Sequence, residues 1–205
     1  MLAVDTDLWE DNVWVVDSTP VECGRSRPTA KGSELAGFAG YGYCASHSRY
    51  FWGLRLHLIC TPAGLPITFA IASPKLDERD VLRDLLEIEP WLLAWRPGLV
   101  ILADKGYVSG ELESLLNDYG VTLLRPAKAN EAPRPGAQFL KPMRQLIESV
   151  NDTFKGQLDL ERHGGRTVSG VIARVLQRLL AYVAAIWHNR HTGQTVTRSL
   201  IAYDH

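Results

Sequence analysis

The 205-residue sequence predicts an α/β fold: a mixed five-stranded sheet that begins as a three-strand meander, continues as strands alternating with helices, and ends in two closing helices. Three observations predict it. The first third holds three β-rich runs with no helical period, the middle alternates helical spacing with short apolar runs, and the last third is helical. Hydrophobic residues make up 46%, enough to bury one sizeable core, and 22% charge without low-complexity tracts argues against disorder.

Val13-Trp14-Val15-Val16 is β-branched and aromatic and leads into Asp17, so it reads as a strand ending there. Residues 22–49 are rich in Gly, Ser and basic residues without a period and read as a long loop. From 51 to 60 the chain alternates, with Leu54, Leu56 and Leu58 on one face and Arg55 and His57 on the other. Thr61-Pro62-Ala63-Gly64 makes a turn into a third strand at 65–71, completing a hairpin. Residues 77–95 place apolar side chains at helical spacing behind a cluster of acids that suits a helix N-terminus. Pro97-Gly98 ends that helix, and the continuous apolar run 99–103 has the length and composition of a central strand buried on both faces. Ser109 caps a second helix that ends at Gly120, residues 121–124 form a fifth strand, and 125–137 form a Pro-rich basic loop. Helices at about 141–158 and 168–190 close the chain.

Three widely spaced cysteines without a Cys-x-x-Cys pair argue for a reducing compartment and against a disulfide framework or a zinc site. The acidic N-terminus is no signal peptide. The apolar stretch 171–187 is interrupted by Arg174, Gln177 and Arg178 and reads as too polar for a membrane span, so a soluble, cytoplasmic protein without a membrane partner is expected. The net charge of −1 does not announce a nucleic-acid partner. Its distribution is polarised, however: residues 76–118 hold ten acids against four Lys/Arg, and residues 121–190 hold five against eleven.

Asp17 closes the first strand and Asp104 follows the long apolar one. Carboxylates at strand ends lie where open α/β sheets place their sites, although Asp is also a common turn and cap residue. On the helix at 141–158, Arg144, Glu148, Asn151 and Lys155 fall within one stripe at about 100° per residue, beside the apolar face of Met143, Leu146, Ile147, Val150 and Phe154. That stripe is equally readable as an exposed charge ladder.

The segments VWVVDSTPV, RYFWGLRLHLICTPAGLPITFAIA, VILADKGYVSGELESLL and KPMRQLIESVNDTFKGQ resemble, in order and spacing, the catalytic domain of bacterial insertion-sequence transposases with a DDE triad. In related families the last motif runs Tyr, two residues, Arg, three residues, Glu, six residues, Lys. Arg144, Glu148 and Lys155 keep those spacings here, while Lys141 stands at the Tyr position. The resemblance implies a ribonuclease-H-like fold, a DDE catalytic domain over residues 1–205, and Asp17, Asp104 and Glu148 as catalytic residues holding two Mg²⁺ or Mn²⁺ ions. It implies DNA, as element ends and target, for a partner, and a homodimer in the active complex. Two ions about 4 Å apart suit in-line phosphodiester hydrolysis followed by strand transfer, and hard ions want carboxylate oxygens.

Arg144 and Lys155 then become phosphate contacts, and Lys141 and Lys105, beside the third and second acids, join them. Arg55 and His57 read either as DNA contacts or as ordinary sheet-surface residues. The segment 25–31, with Phe38, Tyr41 and Tyr43 nearby, suits phosphates and unstacked bases or is a surface loop. His163-Gly164-Gly165-Arg166 could offer backbone N–H groups to phosphate or simply turn the chain. Only sixteen residues precede Asp17, so the helical DNA-end-binding domain usual in such transposases is expected to be missing. A truncated, non-catalytic DNA-binding remnant and a nuclease that cuts without joining are therefore the alternatives.

Overall fold

A run of β-branched and aromatic residues starts the first strand, but the strand does not stop at Asp17. In the computed structural model, which describes residues 2–24, 27–44, 48–198 and 200, β1 runs Val13–Gly24. A single-turn helix α1 (Arg27–Gly32) and a strand β2 (Gly40–Cys44) follow within the segment expected to be loop. The hairpin expected at 51–71 is present as β3 (Arg49–Cys60) and β4 (Pro66–Ala72), with Gly64 at φ 92° in its turn. The helix expected over 77–95 is two, α2 (Glu78–Ile88) and the single turn α3 (Trp91–Ala94), with Pro90 between them. Next come β5 (Val100–Leu102), α4 (Gly110–Asp118) capped by Ser109, and β6 (Thr122–Leu124). The closing helices are α5 (Leu140–Asp152), continued by one wide turn at 153–157, and α6 (Val168–His191).

The sheet therefore has six strands rather than five, in the order β2-β3-β1-β5-β6, with β4 also on β3. The twelve-residue β3 is long enough to serve two partners along one edge: β2 on Arg49–Gly53 and β4 on Arg55–Cys60. Its other edge pairs antiparallel with β1 along the length of both. Across β1, β5 pairs parallel for three residues only, from Val13–Val100 to Val15–Leu102, and β6 extends the parallel part. The strands that lead to the two aspartates, β1 and β5, are thus direct neighbours.

Adjacent residues of β1 locate the helices. Asp17 reaches Asn151 of α5 and Ser18 reaches Glu78 of α2, and successive strand side chains point to opposite faces, so α5 and α2 cover opposite sides of the sheet. Trp14, Leu56, Leu58, Ile101, Tyr107, Phe154 and Tyr182 are fully buried between these layers. One 18-residue window of α6 has a mean hydropathy of 1.4, so by length and composition this helix meets the criterion for a membrane span. That corrects the expectation that its polar interruptions exclude one. In the fold it buries the stripe Val171, Val175, Leu179, Tyr182 and Ile186, the pattern of an amphipathic helix closing a domain.

Gly53 lies where β3 passes from one edge partner to the other and where β1 carries a register irregularity between Glu22 and Gly24. A Cβ there would sit 2.1 Å from the Val21 carbonyl oxygen and 2.9 Å from the Cys23 nitrogen, both backbone atoms of β1. Gly53→Ala should therefore destabilise the fold by about 1–3 kcal/mol, with the melting temperature lowered by roughly 5 °C, read by thermal unfolding.

Candidate active site

β5 is short because its continuation is used elsewhere. The Ala103 N–H donates to the Leu124 carbonyl, and Asp104 then caps a one-turn 3₁₀ helix at 105–107, its Oδ1 accepting from the Gly106 N–H at 2.6 Å. β1 meanwhile runs on, so past Val15 it has a strand neighbour on the β3 side alone. Asp17 sits in this gap, paired with Leu58 in the antiparallel ladder and in the middle of a strand. The turn or cap role usual for Asp is thus excluded for Asp17, while Asp104 is a cap and a site residue at once.

The gap opens into a cleft of about 500 Å³ lined by Asp17, Asp104 and Glu148 together with Glu78, Arg55 and Lys155. A smaller recess beside it is also bordered by Asp17, Asp104, Arg144 and Glu148. Asp17 is oriented on both oxygens: Oδ1 accepts from the Ser18 N–H at 2.8 Å and Oδ2 from Asn151 Nδ2 at 2.9 Å. Burial pushes its carboxyl up to about 7. The Ser18 bond opposes this, the charges of Asp104 and Glu78 add to it, and Lys155 eases it.

Around the open sheet edge, on the α2 side, lies a second group. Arg55 Nη1 donates to Ser18 Oγ at 2.6 Å and to Glu78 Oε1 at 2.9 Å, Nη2 donates to the Tyr43 carbonyl at 2.7 Å, and Ser18 Oγ donates to Glu78 Oε1 at 2.5 Å. Beneath them Tyr107 is fully buried and its hydroxyl has no hydrogen-bond partner. Burial raises its pKa well above the ordinary value, and the charges of Glu78, Asp17 and Asp104 push the same way.

Glu148 borders the same cleft but faces out. Its side chain is 54% exposed and pairs with Arg144 at 3.4 Å. Among the described residues no three Asp, Glu, His or Cys side chains converge tightly enough to hold one ion. The Arg144 pair is an exposed i,i+4 contact worth a few tenths of a kcal/mol, so little opposes turning the carboxylate inward. The chain itself suits a hard divalent cation: the donors are carboxylate oxygens, burial first and then the charges of Asp104 and Glu78 raise the Asp17 pKa to about 7, and Tyr107 and Asn151 keep buried polar atoms without partners.

Of the basic residues expected to meet DNA, Arg144 and Lys155 line the cleft, and Lys141 and Lys105 are exposed outside its lining. Arg55 lines it too, engaged with Glu78, Ser18 and Tyr43. His57 is a correction: it is 1% exposed beneath α2, and burial, helped by Arg55, holds its pKa down at about 4, so it cannot reach DNA. The segment at 163–166 is an interhelical turn, with His163 Nδ1 accepting the Gly165 N–H. Arg25 and Ser26 of the basic segment lie outside the described residues, whereas Phe38, Tyr41 and Tyr43 are exposed as expected. The sequence reading missed Glu78, taken only as a helix-opening acid, and the role of Asn151, whose signal was its place in the Glu148 stripe.

The family described as transposase DDE domain matches residues 8–184. No curated protein matches the sequence. Similar solved structures include the piggyBac transposase in a synaptic complex with hairpin DNA, at 11% identity and a TM-score of 0.57 over 95% of this chain and 51% of that one. The catalytic core domain of BIV integrase aligns at 13% identity and a TM-score of 0.42, over 83% of this chain and 82% of that one. This chain thus spans about half the length of the piggyBac chain, and that first likeness bears out the ribonuclease-H-like fold.

The Asp17 pKa of about 7 in the folded chain lies above the unfolded carboxylate value near 4. Between those values the native state binds the extra proton, so stability falls as pH rises through this window and the loss is complete above about 7. With EDTA present, Asp17→Asn should remove this fall. The difference in stability between variant and wild type should shift in the variant's favour by up to about 4 kcal/mol from pH 4 to pH 8, read by thermal unfolding across the range.

Proposed function

This chain belongs to the transposase DDE-domain family, and we propose that the cleft at the end of β5 is a catalytic centre for DNA phosphodiester hydrolysis and strand transfer. The single observation that carries this reading is Asp17: a mid-strand carboxylate with no turn or cap to serve, fixed on both oxygens and crowded by Asp104 and Glu78. Glu113, Glu131 and Asp77 each have an arginine against them, whereas a carboxylate pushed up beside other carboxylates in an open cleft is a functional candidate. Asp17, Asp104 and Glu148 would hold Mg²⁺ or Mn²⁺, which when bound supplies charge neutralisation at the phosphate and lowers the pKa of water.

The chain's own residues do the positioning. Asn151 and the Ser18 N–H keep Asp17 in one rotamer. Arg144 and Lys155 supply positive charge at the cleft for the DNA backbone, and the exposed Tyr41 and Tyr43 lie on β2 next to it. With a net charge of −1 the phosphate-neutralising surface is modest, so binding should be weak, with a salt dependence set by the few phosphates it contacts. The Arg144–Glu148 pair favours one other reading, a DNA-binding domain that does not cut, because with that pair formed the third acid faces away from the first two. An insertion-sequence element is the substrate context that the Arg144, Glu148 and Lys155 spacing supports.

Purified chain incubated with supercoiled plasmid and Mn²⁺ at low salt should nick it slowly and without sequence preference. Glu148→Gln and Asp104→Asn should each lower that rate by about 100-fold or more with unchanged melting temperature. DNA retention without nicking, unaffected by either substitution, would favour the non-cutting reading.

A further inference from the structure

Glu78 is not one of the three acids in the motif, yet it belongs to the cleft. Its Oε1 is taken by Ser18 and Arg55, and its Oε2 accepts no hydrogen bond among the described residues. Oε2 lies 2.8 Å from the point where a Cβ on Gly106 would sit, and Asp104 Oδ1 lies 2.9 Å from the same point. The two oxygens are therefore no farther apart than those two lengths end to end. Gly106 leaves open the space between them, which any other residue would fill. Under this opening Tyr107 is fully buried with an unpartnered hydroxyl, and the charges that act on it are those of Glu78, Asp17 and Asp104, opposed by Arg55.

A structural role for Glu78 alone leaves two features without a purpose. Arg55 and Ser18 satisfy one oxygen, so the second carboxylate oxygen has no reason to crowd Asp104, where like charges repel. A buried tyrosine hydroxyl without a partner is costly unless something present in the working protein accepts its proton. A cation between the carboxylates answers both, since it binds the free Glu78 Oε2 beside Asp104 Oδ1, which otherwise has only the Gly106 N–H, and brings water or a reoriented carboxylate to the hydroxyl.

We propose that Glu78 is a fourth carboxylate of the divalent-cation site, offering Oε2 beside Asp104 Oδ1, with Tyr107 as the positioning residue that donates a hydrogen bond to a ligand oxygen or bound water. The proposal rests on reading the cleft as a divalent-cation site, and it extends that site around the sheet edge to the α2 side. Arg55 then holds Glu78 in place through Oε1 while leaving Oε2 for the cation.

The test is Mn²⁺ binding to the full chain by titration calorimetry, with Mn²⁺-induced thermal stabilisation alongside and no DNA present. Glu78→Gln should weaken Mn²⁺ affinity about tenfold, the scale on which supporting groups tune metal sites. Tyr107→Phe should leave the metal-free melting temperature unchanged or raised, because it removes an unsatisfied buried hydroxyl, and should shrink the Mn²⁺-induced shift. That opposite response of the metal-free and metal-loaded states would not arise from a merely structural tyrosine, and it carries the test if Glu78→Gln fails to fold. If wild type binds Mn²⁺ and Glu148→Gln weakens it while Glu78→Gln and Tyr107→Phe bind as wild type does, this inference is overturned and the three-acid reading stands. If wild type binds no Mn²⁺ at all, both fall.

Discussion

The cleft depends on where the parallel pairing of β1 with β5 stops. Three pairs join the two strands, ending at Val15 and Leu102. One more pair would carry β5 alongside Val16, and its backbone would close the space in which Asp17 stands. Because Asp104 instead caps a turn, the chain leaves the sheet at once and β1 continues with one neighbour. Side chains from both faces of the sheet can then meet around the uncovered edge: Asp17 and Asn151 from the α5 side, Ser18, Arg55 and Glu78 from the α2 side. Pro20 fits in β1 for the same reason, since beyond Val15 no second partner asks for its missing N–H.

Charge is arranged differently here than in the rest of the chain. Arg125 and Arg134 together engage Glu113 and Glu131, tying α4 to the loop after β6, and the carboxyl of Glu131 is held down at about 2 by Arg125 first. Asp77 is likewise held at about 2 by Arg79. These acids have cations and are settled. Asp17 moves the other way, because burial and two further carboxylates outweigh the distant Lys155. Such crowding in an open cleft, set against the paired acids Glu113, Glu131 and Asp77, marks Asp17 as a functional candidate.

Much of the fold was legible and parts of the site were not. The run at 99–103 read as a strand buried on both faces because nothing polar interrupts it, and a strand so buried must have neighbours; one of them is β1. Ser109, the Gly64 turn and the amphipathic face of α5 were likewise local signals. Asp17 was misread as a strand end because Ser18-Thr19-Pro20 looks like a turn, and only the long pairing with β3 carries the strand through it. β2, with two glycines in five residues, has no local signal and exists through β3. The alternation that put Arg55 and His57 on the outer face of β3 was correct in period, but α2 lies on that face and buries His57. Glu78 reaches the cleft through tertiary packing alone, which no spacing along the chain reveals.

In the proposed function a divalent cation completes the junction of β1 and β5. The most direct measurement is anomalous diffraction from crystals of the chain grown with Mn²⁺. An anomalous peak is expected within about 2.2 Å of carboxylate oxygens of both Asp17 and Asp104, with Asn151 still bonded to Asp17. Ordered crystals with Mn²⁺ bound elsewhere, and with Asp17 and Asp104 uncoordinated in an open cleft, would contradict it.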